Sequence, residues 1–389
     1  MPNKKTIAVI FGGKSAEHDV SIITAHIPII NALKVADKYN VLPVYIAKDG
    51  RWYSESSMND LDYFKRADYE DRLTGDKLVD ISLNGGFKII HRGLFSKSIP
   101  IDIVFTAMHG TFGEDGSLMG MLRMANVPFV GCDMSASAVA MDKIFTKQII
   151  AAEGIPVVPF VWFTRYDWEK MPDECLSEAK KLNWPLFVKP PHLGSSIGMA
   201  KVRDEKGLRD AIEVALHYDS KVLIEESVEN LIEVTLPIIG DDEPQLGAIE
   251  RPLNKSDFFD FEEKYLSQGK KTGLSQGSYS EIPAKIAPDL AREVETLGKK
   301  TYRALGCSGM ARIDFLINEK SNNVFVNEVN PLPGSLYHHN FKTIGISDID
   351  LVNRLIAFAE ERFTEERKLT RTFKSEILNK IRGGKKGEN

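Results

Sequence analysis

Hydrophobic positions fall along the chain in two alternating rhythms. Thr6–Phe11 is a short, almost continuous apolar run, the mark of a buried strand. Val20–Val35 then repeats apolar residues at helical spacing (Ile23, Ile27, Ile30, Leu33), with Pro28 inside it to kink or break the helix. Val41–Ile46, Ile101–Ala107 and Val127–Val130 read as further strands, and Leu118–Met124 as a helix. Such alternation implies parallel strands joined by crossover helices. Between about Tyr53 and Lys97 the pattern is polar and irregular, which reads as an insertion on a loop side of that sheet.

After Val130 the rhythm changes. Ala136–Glu153 predicts one strong helix and Pro156–Phe163 an extended run. A strand, a glycine-rich loop and a second strand occupy Pro185–Val202. A helix near Glu205–His217 and a strand at Val222–Glu226 complete a small α+β unit. Strands follow at Val234–Ile239 and Gly247–Glu250, then a polar segment from Asn254 to Ser280. A long helix over Pro288–Leu305 precedes two strands, Met310–Ile317 and Asn323–Val329, and a last helix over about Ile349–Phe363. Lys380–Asn389 is basic and glycine-rich and is expected to be disordered.

The bulk properties narrow the function. At 389 residues the chain holds two or three cores, and its hydrophobic share of 43% and charged share of 27% are those of a globular protein. A net charge of -5 argues against nucleic acid as a partner. Cys132, Cys175 and Cys307 are too few and scattered for a disulfide framework or a zinc site, and read as structural thiols. The apolar run behind the first lysines is too short for a signal sequence, and no stretch approaches membrane-spanning length. A cytoplasmic protein with no membrane partner is expected.

Three segments carry candidate chemistry. In FVKPPHLGSSIGMAKV (Phe187–Val202), Lys189 ends a strand, and Gly194, Ser195, Ser196 and Gly198 form a small-residue turn. Backbone N–H groups of such a turn can cradle phosphate oxygens, with a lysine as point charge. A plain hairpin turn with a surface lysine stays open on this segment alone. In ARIDFLINEKSNNVFVNEVNPLPG (Ala311–Gly334), Glu328 and Asn330 lie two apart on a strand and face the same way, next to a strand bearing Asp314. Two carboxylates and an amide suit Mg²⁺ shared with nucleotide phosphates. Arg312 shares the face of Asp314, and a guanidinium beside a metal-binding carboxylate implies an anionic substrate group. The apolar Phe315, Phe325 and Val329 bury the opposite face, which makes the polar one a cleft wall rather than a surface ion-pair cluster. In FGGKSAEHDVS (Phe11–Ser21) and MHGTFGEDGS (Met108–Ser117), Glu17 and His109 follow strands of the parallel sheet, at the edge where ligands collect. Glu17 could pair with a substrate ammonium or simply favour a helix N-terminus. His109 could equally be a satisfied loop histidine.

Together, GGKSAEHDVS, MHGTFGEDGSLMGMLRMANVPFVG, SAVAMDK, FVKPPHLGSSIG, FDFEEKY and MARIDF…NEVNPLPG resemble, in order and approximate spacing, the D-alanine–D-alanine ligase family of the ATP-grasp superfamily. The resemblance implies a mixed α/β and α+β fold: a Rossmann-like N-terminal domain (1–135), a central ATP-grasp subdomain (136–228), a C-terminal ATP-grasp subdomain with metal site and mobile loop (229–368), and a basic tail (369–389). It implies ATP-dependent joining of two D-alanines through an acylphosphate, with release of ADP and phosphate, for peptidoglycan precursors. Lys143, Lys189, Gly194, Ser196 and Gly198 would contact ATP phosphates, Glu225 and Glu226 would lie by the adenine, and Glu233 would bind the ribose. Asp314, Glu328 and Asn330 would hold two Mg²⁺ ions, or Mn²⁺. Glu17 would fix the first D-alanine's ammonium, assisted by Ser195 and Tyr265, with Lys264 and His109 near the substrates. Arg312 and the backbone of Gly334 would hold the acceptor carboxylate and the developing oxyanion. Phe258–Gln276 would be a loop that closes over the site. The small-molecule substrates are the expected partners, in a homodimer.

The sequence departs from the family in one place that touches specificity. Beyond NEVNPLPG the family carries a threonine-containing stretch before a serine and an apolar residue that line the acceptor pocket. Here Gly334 is followed at once by Ser335 and Leu336, which would take that role in a shortened loop. A ligase of the same fold with another acceptor (D-lactate, D-serine or another amino acid) is the alternative. A nucleotide-binding regulator without catalysis is a second, although it predicts loss of metal ligands that are all present.

Overall fold

The computed structural model describes residues 4–92, 96–194, 197–253, 280–375, 377–378 and 381. Its first sheet is built on β1 (Thr6–Gly12), buried on both faces, as the unbroken apolar run requires. β2 (Asn40–Ile46) and β7 (Ile103–Thr106) flank β1 in parallel, β8 (Phe129–Val130) pairs in parallel with β7, and β3 (Trp52–Tyr53) adds antiparallel to β2. The helix behind β1 runs from His18 to Ala36. Pro28 does not break it: because proline has no N–H to offer, the helix widens into a π turn over Ala25–Ile30 and continues. The resulting 19-residue helix is long and apolar enough to cross a membrane, unlike any stretch expected from the sequence. Yet Ala25, Ile29, Ile30 and Leu33 are buried in the core with Phe11 and Phe105.

The region from Tyr53 to Lys97 is more regular than its polarity suggests. β4 (Val79–Ser82), β5 (Lys88–His91) and β6 (Lys97–Pro100) form an antiparallel sheet in that order. Single apolar residues (Tyr53, Tyr63, Val79, Phe87, Ile89) anchor it in the core while the rest stays polar, so no long periodic run betrays it.

A second, antiparallel sheet orders β11 (Ala200–Val202), β10 (Leu186–Lys189), β12 (Lys221–Glu226) and β9 (Phe160–Thr164). The third orders β14 (Gln245–Leu246), β13 (Leu231–Ile239), β17 (Met310–Asn318) and β18 (Asn323–Asn330). A two-stranded piece pairs β15 (Arg251–Pro252) with β16 (Ser280–Glu281), so the expected strand at Gly247–Glu250 reduces to a bridge between Glu250 and Thr235. The helix Pro288–Ala304 packs Leu290, Val294 and Tyr302 on the third sheet. The expected single helix over Ala136–Glu153 is two, Met134–Met141 and Lys143–Ala152. They are separated by Asp142 in an extended conformation, which caps the second. The closing helix, Asp348–Arg367, returns to the first sheet: Leu351, Leu355 and Ile356 share one core with Ile7, Phe105 and Val130.

Candidate active site

The three sheets enclose one cleft of about 620 Å³, open to solvent, lined among others by Glu17, His109, Glu114, Lys143, Gly194, Arg312, Glu328, Asn330 and Gly334. Its floor is the β17–β18 hairpin. Antiparallel register sets Asp314 opposite Glu328 and Arg312 opposite Asn330, and a bulge follows between Asp314 and Phe315. The pleat turns Arg312, Glu328 and Asn330 to the cleft, with Asp314 on the same face against Arg312, while Ile313, Phe315 and Val329 go to the core.

The charges in this site are already paired. Arg312 donates from Nε to Asp314 Oδ1 and from Nη2 to Asp314 Oδ2, both at 2.6 Å, and Asn330 Nδ2 donates to Asp314 Oδ2 at 3.3 Å. Burial works against the Arg312 charge, but Asp314 outweighs it and keeps the guanidinium firmly protonated. Lys143, the first residue of its helix, sets Nζ 3.3 Å from Glu328 Oε2 and donates to the Leu193 carbonyl at 2.8 Å, beside the glycine-rich loop. Asp314, Glu328 and Asn330 thus bring two carboxylates and an amide together as hard oxygen donors, with Arg312 and Lys143 in the place a divalent ion could take. The donor set fits such an ion.

Beneath the cleft is a buried ionic triad. Glu225 of β12, 1% exposed, lies between Lys147, 3.1 Å from its Oε2, and Lys189, which donates to its Oε1. Burial alone would raise the Glu225 carboxyl, but the two ammoniums overcome it and hold it below its ordinary range; burial lowers that of Lys147. Glu226, the next residue, faces the other way and accepts from the backbone and side chain of Asn183, at 2.9 and 3.0 Å. The structure therefore separates the two glutamates that the sequence grouped. Glu233 is exposed on β13, outside the cleft lining.

The first sheet supplies the opposite wall. Glu17 sits between two glycines: a Cβ at Gly110 or at Gly194 would lie 3.3 Å from one of its carboxylate oxygens, so both positions leave room for that carboxylate. Buried His109 meets Thr24 Oγ1 at 2.9 Å through Nε2, and the same oxygen accepts from Ser335 N at 2.8 Å. Glu114 accepts from Gly110 N at 2.7 Å and faces His109 Nδ1 at 3.7 Å.

The structure corrects the expectation for Ser335 and Leu336. Neither lines the cleft: Ser335 is 5% exposed, and Leu336 is fully buried in the first core. Ser335, Leu336 and Tyr337 all have positive φ, and this turn packs Leu336 into the first core. Ser195, Ser196, Lys264 and Tyr265, with the closing loop Phe258–Gln276, lie outside the described residues. Thr24, Glu114, Lys147 and Tyr337 complete the site and were not anticipated. Tyr337 stands within the departing SLYHH run that marked the specificity loop and Glu114 within MHGTFGEDGS, whereas Thr24 and Lys147 have no local signal.

Known proteins resemble the chain over most of its length. The family described as D-ala D-ala ligase N-terminus matches residues 6–132, and D-ala D-ala ligase C-terminus matches residues 149–357. A D-alanine–D-alanine ligase of Thermosipho africanus is 37% identical over 364 residues, spanning 93% of this chain and 95% of the relative. One from Chlorobium phaeovibrioides is 38% identical over 365 residues, spanning 92% and 97%. Among solved structures, the VanG D-Ala:D-Ser ligase from Enterococcus faecalis superposes with a TM-score of 0.75 at 32% identity, covering 92% of this chain and 100% of that one. The D-alanine–D-alanine ligase from Coxiella burnetii gives 0.76 at 27% identity, covering 94% and 97%.

Proposed function

The chain belongs to the D-alanine–D-alanine ligase family of ATP-dependent ligases, and from this we propose that it joins two D-alanines into D-alanyl-D-alanine, converting ATP to ADP and phosphate. The observation that carries the reading is the convergence on one cleft of an ammonium-binding carboxylate (Glu17), a phosphate-facing lysine (Lys143), an oxygen-donor set (Asp314, Glu328, Asn330) and a carboxylate-binding guanidinium (Arg312).

In this reading Lys143 and the Gly194–Gly198 loop hold the ATP phosphates, Lys189 adds its charge from beneath the cleft, and Glu17 holds the ammonium of the first D-alanine. That substrate's carboxylate attacks the γ-phosphate and forms an acylphosphate. The amino group of the second D-alanine, its own carboxylate gripped by Arg312, attacks the acyl carbon, and phosphate leaves from the tetrahedral intermediate. The Gly334 N–H faces the developing oxyanion. No side chain acts as nucleophile; rate comes from positioning and from fixed charge. A divalent ion, which we take to be Mg²⁺, would be held by Asp314, Glu328 and Asn330 and would supply neutralisation of phosphate charge. His109, tied through Thr24 to Ser335, orders the wall beside the substrate ammonium. By family resemblance the enzyme works in the cytoplasm as a homodimer.

Incubation of the purified protein with Mg²⁺-ATP and D-alanine, alone and against D-lactate or D-serine, tests the reading by product mass. D-alanyl-D-alanine with ADP and phosphate is expected; AMP and pyrophosphate would refute the phosphoryl-transfer route. D-alanyl-D-serine is the second reading, favoured by the likeness to a D-Ala:D-Ser ligase.

A further inference from the structure

The turn after Pro333 is made of residues that rarely make such a turn. Ser335, Leu336 and Tyr337 have φ of 52°, 51° and 45°, three consecutive side-chain-bearing residues in the left-handed region. There, Cβ crowds the following carbonyl, and no glycine or asparagine relieves it. Such a run persists where its surroundings over-determine it. Here Ser335 N donates to Thr24 Oγ1 at 2.8 Å, Leu336 N donates to the Pro333 carbonyl at 3.1 Å, and the Leu336 side chain is fully buried.

What the turn delivers is Tyr337. Its ring centroid lies 5.1 Å from the guanidinium carbon of Arg312, within cation–π range. Arg312 lines the cleft and Tyr337 does not, so the ring supports the guanidinium from outside the cavity. The ring also meets His339, with centroids 5.8 Å apart, and His339 in turn faces Glu250 at 3.5 Å. Asp314 grips the guanidinium through Nε and Nη2, whereas Tyr337 presents its ring to the guanidinium carbon. If a bound cation draws Asp314 away, the ring remains as a contact that keeps the arginine in place.

We propose that Tyr337 is a positioning residue for the acceptor subsite: it holds Arg312 in the orientation that receives the acceptor carboxylate, and the left-handed turn exists to place it there. The inference rests on the reading of Arg312 as the acceptor-binding group. A long side chain fixed before binding loses less freedom on binding, so the gain appears as acceptor affinity.

The test is bisubstrate kinetics on the full-length enzyme, with KM resolved for ATP, donor and acceptor. Tyr337→Leu is expected to raise the acceptor KM about tenfold, the effect of losing a desolvated cation–π contact, with ATP and donor KM nearly unchanged. Tyr337→Phe, which keeps the ring face, should recover most of that loss. Because leucine can repack the turn, phenylalanines of increasing fluorination at position 337 give a second, nearly isosteric series. The acceptor KM should climb with each fluorine as the ring face loses negative charge. A flat fluorination series, or an acceptor KM for Tyr337→Leu within twofold of the parent, overturns the positioning role. Arg312→Ala separates the two layers: if it too leaves acceptor KM unchanged, the reading of Arg312 itself is wrong.

Discussion

Arg312 and Asp314 hold each other through two hydrogen bonds of 2.6 Å, although the proposed reaction needs the first for a substrate carboxylate and the second for a metal ion. Lys143 and Glu328, 3.3 Å apart, repeat the arrangement across the cleft. The charges of the site are therefore balanced among its own side chains. Each cation meant for a substrate anion rests on a carboxylate meant for a cation, which avoids unpaired charge in a half-buried cleft. Ligand binding must exchange these partners, so metal and substrate affinities should be linked.

That linkage is measurable. Acceptor binding to the complex with a non-hydrolysable ATP analogue should be at least about fivefold tighter with Mg²⁺ than without it, the lower end of ordinary coupling between sites. Asp314→Asn, which weakens the grip on both Arg312 and the metal, should shrink the difference. Calorimetric titrations giving equal acceptor affinities with and without Mg²⁺ would count against the exchange.

Removal of a charge from the cleft should stop turnover without unfolding the chain. Arg312→Ala and Glu328→Gln should each lower kcat/KM by at least about a hundredfold, as expected when a group that stabilises developing charge is lost. Far-ultraviolet circular dichroism should be unchanged, because both side chains face the cleft rather than the core. Near-parental rates in both variants would mean that the chemistry lies elsewhere.

How much of this was legible in the sequence depends on distance along the chain. The relation of Asp314 to Glu328 was accessible because a hairpin and a two-residue period fix it locally. The pairing of Glu225 with Lys189 and Lys147 was not, since it requires a helix to pack beneath a sheet. Nor was Thr24, which joins His109 and Ser335 from a distant helix. The strands of 79–100 were missed because their few buried residues are scattered among polar ones. The left-handed turn at Ser335–Tyr337 was invisible for another reason: no residue in it prefers that conformation, which is imposed by the packing of Leu336 and the bond to Thr24.

The buried triad makes an asymmetric stability prediction. Glu225→Gln leaves the ammoniums of Lys147 and Lys189 facing each other in the interior, and should cost roughly 3–5 kcal/mol. Lys147→Met removes an ammonium that burial already disfavours and leaves Glu225 paired with Lys189, so it should cost less than about 2 kcal/mol. Chemical denaturation midpoints rank the two variants; a larger shift for Lys147→Met would show that Glu225 is not the hub.

The base of the glycine-rich loop carries a pH dependence of its own. His192 Nδ1 lies 2.9 Å from Asp219 Oδ2, and its Nε2 lies 3.2 Å from Asp142 Oδ2, which Lys221 also approaches at 2.8 Å. The two carboxylates raise the imidazole from its ordinary 6.5 to about 9, and Asp142 also caps the helix that begins at Lys143. Between these values the folded chain keeps a proton that the unfolded chain has lost. The contribution is therefore complete below about pH 6.5, declines as pH rises, and is gone above about 9. The imidazole is partly exposed, so solvent screens the pairs and the effect should be modest. His192→Gln should abolish the decline attributable to this group. The difference in stability between the parent and His192→Gln should shrink from pH 7 to pH 10. The parent's ATP KM should rise over the same interval as the loop loses its tether to the helix of Lys143. A stability difference that is constant across this range would mean that the imidazole is not held charged between Asp142 and Asp219.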